Sequence, residues 1–325
     1  MNLSNTQSKH IQILRGLAII AVVFIHNTPL GIPQIIIRPF LNFCVGTFLF
    51  LSGLLSHREA WNPKKRIVKV LVPYAIWTFF YVCSSNIYMG TLSRIPIEYL
   101  KSLIFGDSVA IMYYIFVYCQ FTLLIPIIDK LANSKYKYLG FLISPIEIIL
   151  MRMLPIVIGY QNNVYLQKIV GISCLGWFTY FYLGYLIGRK KIVINYNNFL
   201  LLGAFGVSLA LQMLEGYWYW SLGDANCGTQ MKLSVILSTS IFVLLGYKFI
   251  NNPKEYNFKI LYVLGNYSFG IYFSHLAVMR VLSLIPLYTK YIIYPFNAIF
   301  AVIISLIMCY LGKKILKKYS WLIAL

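Results

Sequence analysis

The chain has 325 residues, of which 60% are hydrophobic and only 11% are charged, and its mean hydropathy is +0.74. This composition lies outside the range of soluble globular domains and indicates an integral membrane protein. The formal net charge of +20 reflects 28 basic and 8 acidic residues. Because basic loops set membrane topology and contact anionic lipid, this charge predicts membrane lipids as partners and no nucleic acid.

Apolar runs long enough to cross a bilayer as helices recur along the whole chain. We predict ten spans, centred near residues 20, 45, 78, 118, 148, 178, 206, 241, 270 and 301. The connections are short, so the expected fold is an all-α polytopic membrane protein with one integral membrane domain over residues 1–325. The first span lacks a small-residue cleavage pattern, which favours an uncleaved helix over a secretory signal.

The basic residues predict the orientation of the ten spans. When the loops alternate between the two sides, 20 of the 28 lysines and arginines fall on one side and 8 on the other. The basic side is the cytoplasmic one, so both termini are expected in the cytoplasm. The cysteines are scattered without the spacing of metal ligands and are expected to be apolar fillers, with neither metal nor disulfides; they are Cys44, Cys83, Cys119, Cys174, Cys227 and Cys309.

The first span carries two ionisable residues, Arg15 and His26, eleven positions apart. Eleven residues make about three helical turns, so both side chains share one face about 16 Å apart. His26 is expected in the outer half, where a neutral imidazole can accept a proton from a hydroxyl. The alternative is a histidine that only hydrogen-bonds to a neighbouring helix or extends outward to the membrane surface. Arg15 is expected at the cytoplasmic mouth, where it suits phosphate or anchors the helix.

A basic run, Lys64–Lys69, precedes the third span. Arg66 and Lys69 are three residues apart and so point the same way at a helix start, where they are suited to hold a phosphate-rich cofactor together. Topology alone is the alternative explanation.

Three later segments carry polar or aromatic side chains. In the fifth span Glu147 is expected to be protonated, hydrated or paired, with Arg152 the nearest basic residue in the sequence. In the ninth span Tyr272 and His275 share one helical face, for chemistry or for helix packing. The aromatic run Tyr217–Trp220 is either a stacking platform for a sugar or part of an aromatic belt at the membrane interface.

These segments together resemble a known family of membrane enzymes. Arg15 and His26 match an arginine, ten residues, histidine motif, and Gly46–Gly53 is similar to a second-helix segment that ends in Phe-x-x-Ser-Gly. Both belong to the pattern of the acyltransferase 3 family of polytopic membrane acyltransferases.

Three further segments extend the resemblance over nearly the whole chain. Arg66 matches the first position of an Arg-x-x-Arg motif, whereas Lys69 replaces the second arginine and offers a point charge instead of a bidentate fork. The segments Trp177–Gly184 and Tyr272–His275 look like later parts of the family pattern.

The resemblance implies an O-acyltransferase, most often an O-acetyltransferase, of the bacterial plasma membrane. Its donor substrate would be cytoplasmic acyl-CoA, commonly acetyl-CoA, with no tightly bound cofactor, and its acceptor a hydroxyl of a cell-envelope polysaccharide or a lipid-linked glycan precursor. Arg15, Arg66 and Lys69 would hold the donor phosphates and His26 would act as general base. Ser52 and Tyr272 are candidates for stabilising the oxyanion, and no serine or cysteine nucleophile motif indicates an acyl-enzyme.

A different class of function also fits an intramembrane histidine. In a transporter or flippase for a polysaccharide precursor or small solute, His26, Glu147 and His275 would form a proton relay or a substrate pathway. The basic cytoplasmic mouth below His26 favours the acyltransferase. A membrane anchor without activity would leave the motif to chance.

Overall fold

A computed structural model of the chain describes residues 3–159, 171–193 and 196–325. Over these residues the protein is helical, with 79% of residues in helices and no strand. The α-helices, numbered in chain order, are α1 Asn5–Asn27, α2 Ile32–Ile37, α3 Phe43–Leu54, α4 Pro63–Met89, α5 Ile95–Phe105, α6 Tyr113–Ala132, α7 Ile143–Ile148, α8 Leu154–Val157, α9 Phe178–Gly188, α10 Asn198–Ser221, α11 Leu233–Ile250, α12 Lys259–Asn266, α13 Ser268–Ser283, α14 Pro286–Tyr291 and α15 Phe296–Leu316.

The all-α polytopic class is confirmed, with a correction to the number of full-length spans. All ten predicted centres fall in α-helices, but within the described ranges eight helical segments are long and apolar enough to cross a bilayer. The sixth predicted span is the 11-residue α9, which begins only after a 3-10 turn. The ninth is interrupted at Tyr267, between α12 and the 16-residue α13. Both helices are shorter than the roughly 20 residues that a bilayer core requires.

Contacts between Cα atoms divide the chain into two compact units. The first unit contains the described residues of Met1–Trp61, Leu124–Val170 and Leu175–Asn266, and the second those of Asn62–Leu123, Gly171–Cys174 and Tyr267–Leu325. The single domain expected over residues 1–325 stays a prediction.

In the first unit, α1 is an interior helix. It starts at a capping box, in which the Ser4 hydroxyl accepts from the Gln7 backbone N–H at 3.1 Å and the Gln7 side chain accepts from the Ser4 N–H at 3.0 Å. In its most apolar window 61% is buried, against 22% for the segment Phe296–Ile323. A Cβ atom on Gly16 would collide with the Leu261 carbonyl of α12. Gly16 therefore lets two helix backbones touch directly beside Arg15.

The same unit packs α3 against α9 through small residues. A Cβ on Gly53 of α3 would collide with the Phe181 carbonyl of α9, and a Cβ on Gly184 of α9 would collide with the Phe50 carbonyl of α3. Two of the segments that carry the family resemblance are therefore joined by a backbone-to-backbone helix contact.

The second unit is held together by tyrosine hydroxyls that donate to backbone carbonyls. Tyr74 of α4 donates to the Ser102 carbonyl of α5, and Tyr81 of α4 donates to the Phe273 carbonyl of α13, both at 2.6 Å. Each bond satisfies a buried hydroxyl and ties α4 to a neighbouring helix.

Candidate active site

One unbroken helix, α1, carries both residues of the first motif. Arg15 lies in its middle and His26 in its last turn, and both side chains are half-buried. At the end of the helix the Thr28 hydroxyl donates to the Phe24 carbonyl and the Asn27 amide donates to the Val23 carbonyl, both at 2.9 Å. These bonds satisfy carbonyls of the last turns. The predicted separation of about 16 Å along one helix axis follows from this continuity.

Two other predicted residues belong to the same unit as His26. Ser52 is half-buried in α3, which packs against α1, and its backbone carbonyl accepts a hydrogen bond from the Ser56 hydroxyl at 2.7 Å. Glu147 is half-buried in α7 and its Cγ lies 3.8 Å from where a Cβ on Gly176 would stand. Arg152, the basic residue nearest to Glu147 in the sequence, forms its ion pair with Asp224 at 2.6 Å. Whether Glu147 is protonated, hydrated or paired with another residue stays a prediction.

The predicted phosphate pair Arg66 and Lys69 lies in the first two turns of α4, in the second unit. Arg66 is half-buried and Lys69 is exposed. The Asn62 side chain caps this helix by accepting from the Lys65 backbone N–H at 3.0 Å. Arg66 therefore lies in the first turn of α4, near the positive end of the helix dipole, where anions are stabilised, and Lys69 follows in the second turn.

Tyr272 and His275 also lie in the second unit, on α13, and their ring centroids are 6.5 Å apart. The Tyr272 hydroxyl donates to the Ile111 carbonyl, and Nδ1 of the buried His275 ring lies 3.0 Å from the Ile271 carbonyl. The Tyr272 proton is therefore engaged with the backbone, which corresponds to the helix-packing interpretation of this segment.

The sequence prediction missed a group of buried and half-buried charged and polar residues at the His26 end of the first unit, here called the Arg38 cluster. Its members are Gln34, Arg38, Arg152, Glu215, Asp224 and Lys232. Arg38 Nη2 donates to the carbonyl of Ile25, the residue before His26, at 3.4 Å. Gln34 Nε2 donates to the Ala225 carbonyl at 2.9 Å, which holds the loop of residues 222–232 against α2.

Two of the three cations in the Arg38 cluster have defined counterparts. Arg152, in a π-helical turn between α7 and α8, pairs with Asp224, and their side chains are 18% and 8% exposed. Lys232 is fully buried, and its Nζ donates to the Gln212 and Cys227 carbonyls at 2.9 and 3.3 Å. Burial lowers the Lys232 pKa to about 8, although the Glu215 carboxylate acts in the opposite direction. Both groups therefore have partners within the fold.

The distribution of basic residues over the two membrane sides contained a sequence signal for this cluster. The eight basic residues outside the cytoplasmic set are Arg38, Arg94, Lys101, Arg152, Lys168, Lys232, Arg280 and Lys290, of which Lys168 lies outside the described residues. Three of the eight meet in one cluster. Basic residues that depart from the topological rule were therefore the clue, since membrane insertion does not explain them.

The aromatic run at the end of α10 divides between surface and interior. Tyr217, Trp218 and Trp220 are exposed, whereas Tyr219 is fully buried and lies under the Arg152 guanidinium, with 5.4 Å between Cζ and the ring centroid. The exposed rings remain compatible with an aromatic belt or with a sugar platform. Tyr219 belongs to neither, because a cation covers its ring.

The fold and the site together define a polytopic membrane protein with an arginine and a histidine on one interior helix. The family model of the acyltransferase domain matches residues 9–313. The chain belongs to the acyltransferase 3 family, as the resemblance predicts, and is a membrane acyltransferase. No curated protein and no solved structure matches it.

Proposed function

We propose that this acyltransferase is an O-acetyltransferase of the bacterial plasma membrane. It moves an acetyl group from cytoplasmic acetyl-CoA to a hydroxyl of a cell-envelope polysaccharide or of a lipid-linked glycan precursor. The observation that carries the proposal is α1, which holds Arg15 and His26 in one interior helix of an acyltransferase domain. Ionisable residues in an apolar helix are expensive and generally functional.

His26 is the proposed general base. Its imidazole accepts the proton of the acceptor hydroxyl while that oxygen attacks the thioester carbonyl carbon of the donor. The tetrahedral intermediate then expels the coenzyme A thiolate, the C–S bond breaks, and the imidazolium returns the proton to sulfur. The products are an O-acyl ester and free coenzyme A. Ser52 and Tyr272 stay candidates for oxyanion stabilisation. The Tyr272 hydroxyl is engaged by a backbone carbonyl, and the α3 residues beside Ser52 pack against Ile11 and Leu14, at the opposite end of α1 from His26.

Arg15 is proposed to bind phosphate of the donor, because a guanidinium presents its donors in a fork that matches phosphate oxygens. Arg66 and Lys69 are proposed for the same chemistry, supported by their position at the start of α4. Glu147 and His275 have no assigned step and are kept as secondary candidates. The donor would be a substrate that arrives and leaves at each turnover.

The decisive variant is His26→Ala. We expect acyl transfer to fall by about 10²–10⁴-fold, because the acceptor hydroxyl loses its base. The measurement is mass spectrometry of surface glycans from cells that carry the wild type, the variant or no copy of the protein, together with the amount of inserted protein.

His57→Gln is the matched control, since His57 is a half-buried histidine outside the spans. It should retain the acyl mass found with the wild type. Full acylation by the His26→Ala protein would overturn the base assignment. Identical glycans with and without the wild-type protein would overturn the glycan acceptor.

Arg15→Ala tests the donor side of the proposal. Losing a charge-assisted contact to phosphate should raise the KM for acetyl-CoA by about tenfold or more, with a smaller change in kcat. Arg15→Lys should recover part of the loss, because charge returns without the fork. Arg94→Ala, which removes an exposed arginine of the second unit, is the control. An unchanged KM in Arg15→Ala would contradict the phosphate role.

A further inference from the structure

Arg38 differs from the other two cations of its cluster, because it has no counterion in the fold. All eight carboxylate side chains of the chain lie in the described residues, and none of them forms an ion pair with Arg38. Its hydrogen bond to the Ile25 carbonyl is long, at 3.4 Å, and its Nε is buried without a partner. A half-buried guanidinium in this state lacks an anion.

The loop of residues 222–232 builds a wall beside Arg38. A Cβ on Gly228 would stand 2.8 Å from Arg38 Cδ and 2.9 Å from the Gln34 carbonyl oxygen, so the loop packs closely against the arginine stem. The Gln34 amide fixes the same loop through the Ala225 carbonyl. The guanidinium is therefore held in place before any ligand arrives, which reduces the entropy lost on binding.

The two neighbouring cations, Arg152 and Lys232, are not available to bind an external anion. Asp224 neutralises Arg152. Two backbone carbonyls accept hydrogen bonds from Lys232, and the Glu215 carboxylate favours its charged form. The cluster contains three cations and two carboxylates, Asp224 and Glu215, which leaves one net positive charge, and Arg38 is the cation without a neighbouring carboxylate. Two carboxylates act on the neighbouring cations and none acts on Arg38, so the charge balance of the cluster favours an oxyanion from outside the chain.

We propose that Arg38 binds a phosphate or carboxylate group of the acceptor, so that the enzyme prefers an anionic acceptor. The assignment to the acceptor rests on the proposed function, whereas the anion is inferred from the Arg38 contacts alone. Arg38 donates to the backbone of the residue that precedes His26. An anionic group bound there would fix a nearby hydroxyl of the same molecule within reach of the imidazole, which is how a remote contact contributes to orientation.

The test measures binding of glucose 1-phosphate to the purified full-length protein by isothermal titration calorimetry. The protein is kept in dodecyl maltoside, which contains no phosphate, with coenzyme A in excess to occupy donor phosphate sites. The wild type should bind glucose 1-phosphate and should not bind glucose. Arg38→Gln should weaken binding by about tenfold or more, and Arg38→Lys by less.

Arg280→Gln is the matched control, since Arg280 is another half-buried arginine outside the basic set and contacts the Tyr88 ring in the second unit. It should bind like the wild type. Coenzyme A binding by each variant reports whether the protein is folded. Equal affinity of wild type and Arg38→Gln, or no binding by the wild type, overturns the proposal.

A second arm adds phosphatidylglycerol to the detergent. Unchanged affinity for glucose 1-phosphate supports an acceptor group as the source of the anion, whereas competition by the lipid assigns the site to a headgroup and overturns the acceptor assignment. The readout needs no turnover. Failure of the His26 chemistry would therefore leave this binding intact, and failure of the Arg38 site would leave the His26 experiment unaffected.

Discussion

The two ends of the first unit carry ion pairs of the same length in different surroundings. At the His26 end, Arg152 and Asp224 are 2.6 Å apart and their side chains are 18% and 8% exposed. At the other end, Arg189 and Glu59 are also 2.6 Å apart, but their exposures are 29% and 66%. Distance alone would rank the pairs as equal, whereas solvent access separates them.

The two ends differ in how strongly water screens their ion pairs. Around Glu59 the Arg189 guanidinium lowers the carboxyl pKa through a two-pronged hydrogen bond at 2.6 and 3.0 Å, but water screens the pair. Around Arg152 the charges are enclosed, so removing one partner leaves the other uncompensated. We therefore expect the exposed end to tolerate substitutions of charge and the buried end not to tolerate them.

Asp224→Asn should give the largest effect on stability. It keeps the shape of the side chain but leaves Arg152 buried without its counterion, which is expected to lower the free energy of unfolding by about 3–5 kcal/mol. The measurement is the thermal denaturation midpoint of purified protein in detergent. Asp107→Asn, the same substitution at an exposed carboxylate, is the control. Equal midpoints for both variants would remove the distinction between the two ends.

Gly16→Ala should have an intermediate effect. The added methyl group meets the Leu261 carbonyl, and separating α1 from α12 is expected to cost about 1–3 kcal/mol of stability. Gly203→Ala is the control, because no atom lies within 4 Å of the new Cβ and an alanine favours the helix. A stable Gly16→Ala protein would mean that α1 is held by something other than this backbone contact.

Glu59→Gln should have the smallest effect. The pair with Arg189 is exposed to water, so the denaturation midpoint at physiological salt is expected to match the wild type. Repeating the measurement at low and high salt checks the reason, since a screened pair contributes slightly more at low ionic strength. A large loss of stability would show that the pair acts as a buried one.

Sequence periodicity predicted α1 well, because the relative placement of Arg15 and His26 depends only on the geometry of one continuous helix. Arg15 and His26 share a face through local geometry alone. The same reasoning located a helix at every predicted span centre. It overestimated the helix length of two spans, since a hydropathy average does not detect the 3-10 turn before α9 or the break at Tyr267.

The Arg38 cluster escaped prediction because its contacts are distant in sequence. Arg152 pairs with Asp224, 72 positions away, although Glu147 is five residues away. Arg38 and Gln34 meet a loop that follows α10, almost two hundred residues later. Tertiary packing chooses among such partners, and residue spacing within one helix carries no information about it.

The contact between α1 and α12 also constrains when the first unit can complete its packing during synthesis. Gly16 meets Leu261, and Gln12 meets Gly265, so α1 packs against residues that the ribosome makes roughly 250 positions later. At about 5–20 residues per second, that interval is on the order of ten seconds or more. Until residue 265 has been made, the surface of α1 around Gly16 lacks this partner, and the contact that joins α1 to α12 cannot form.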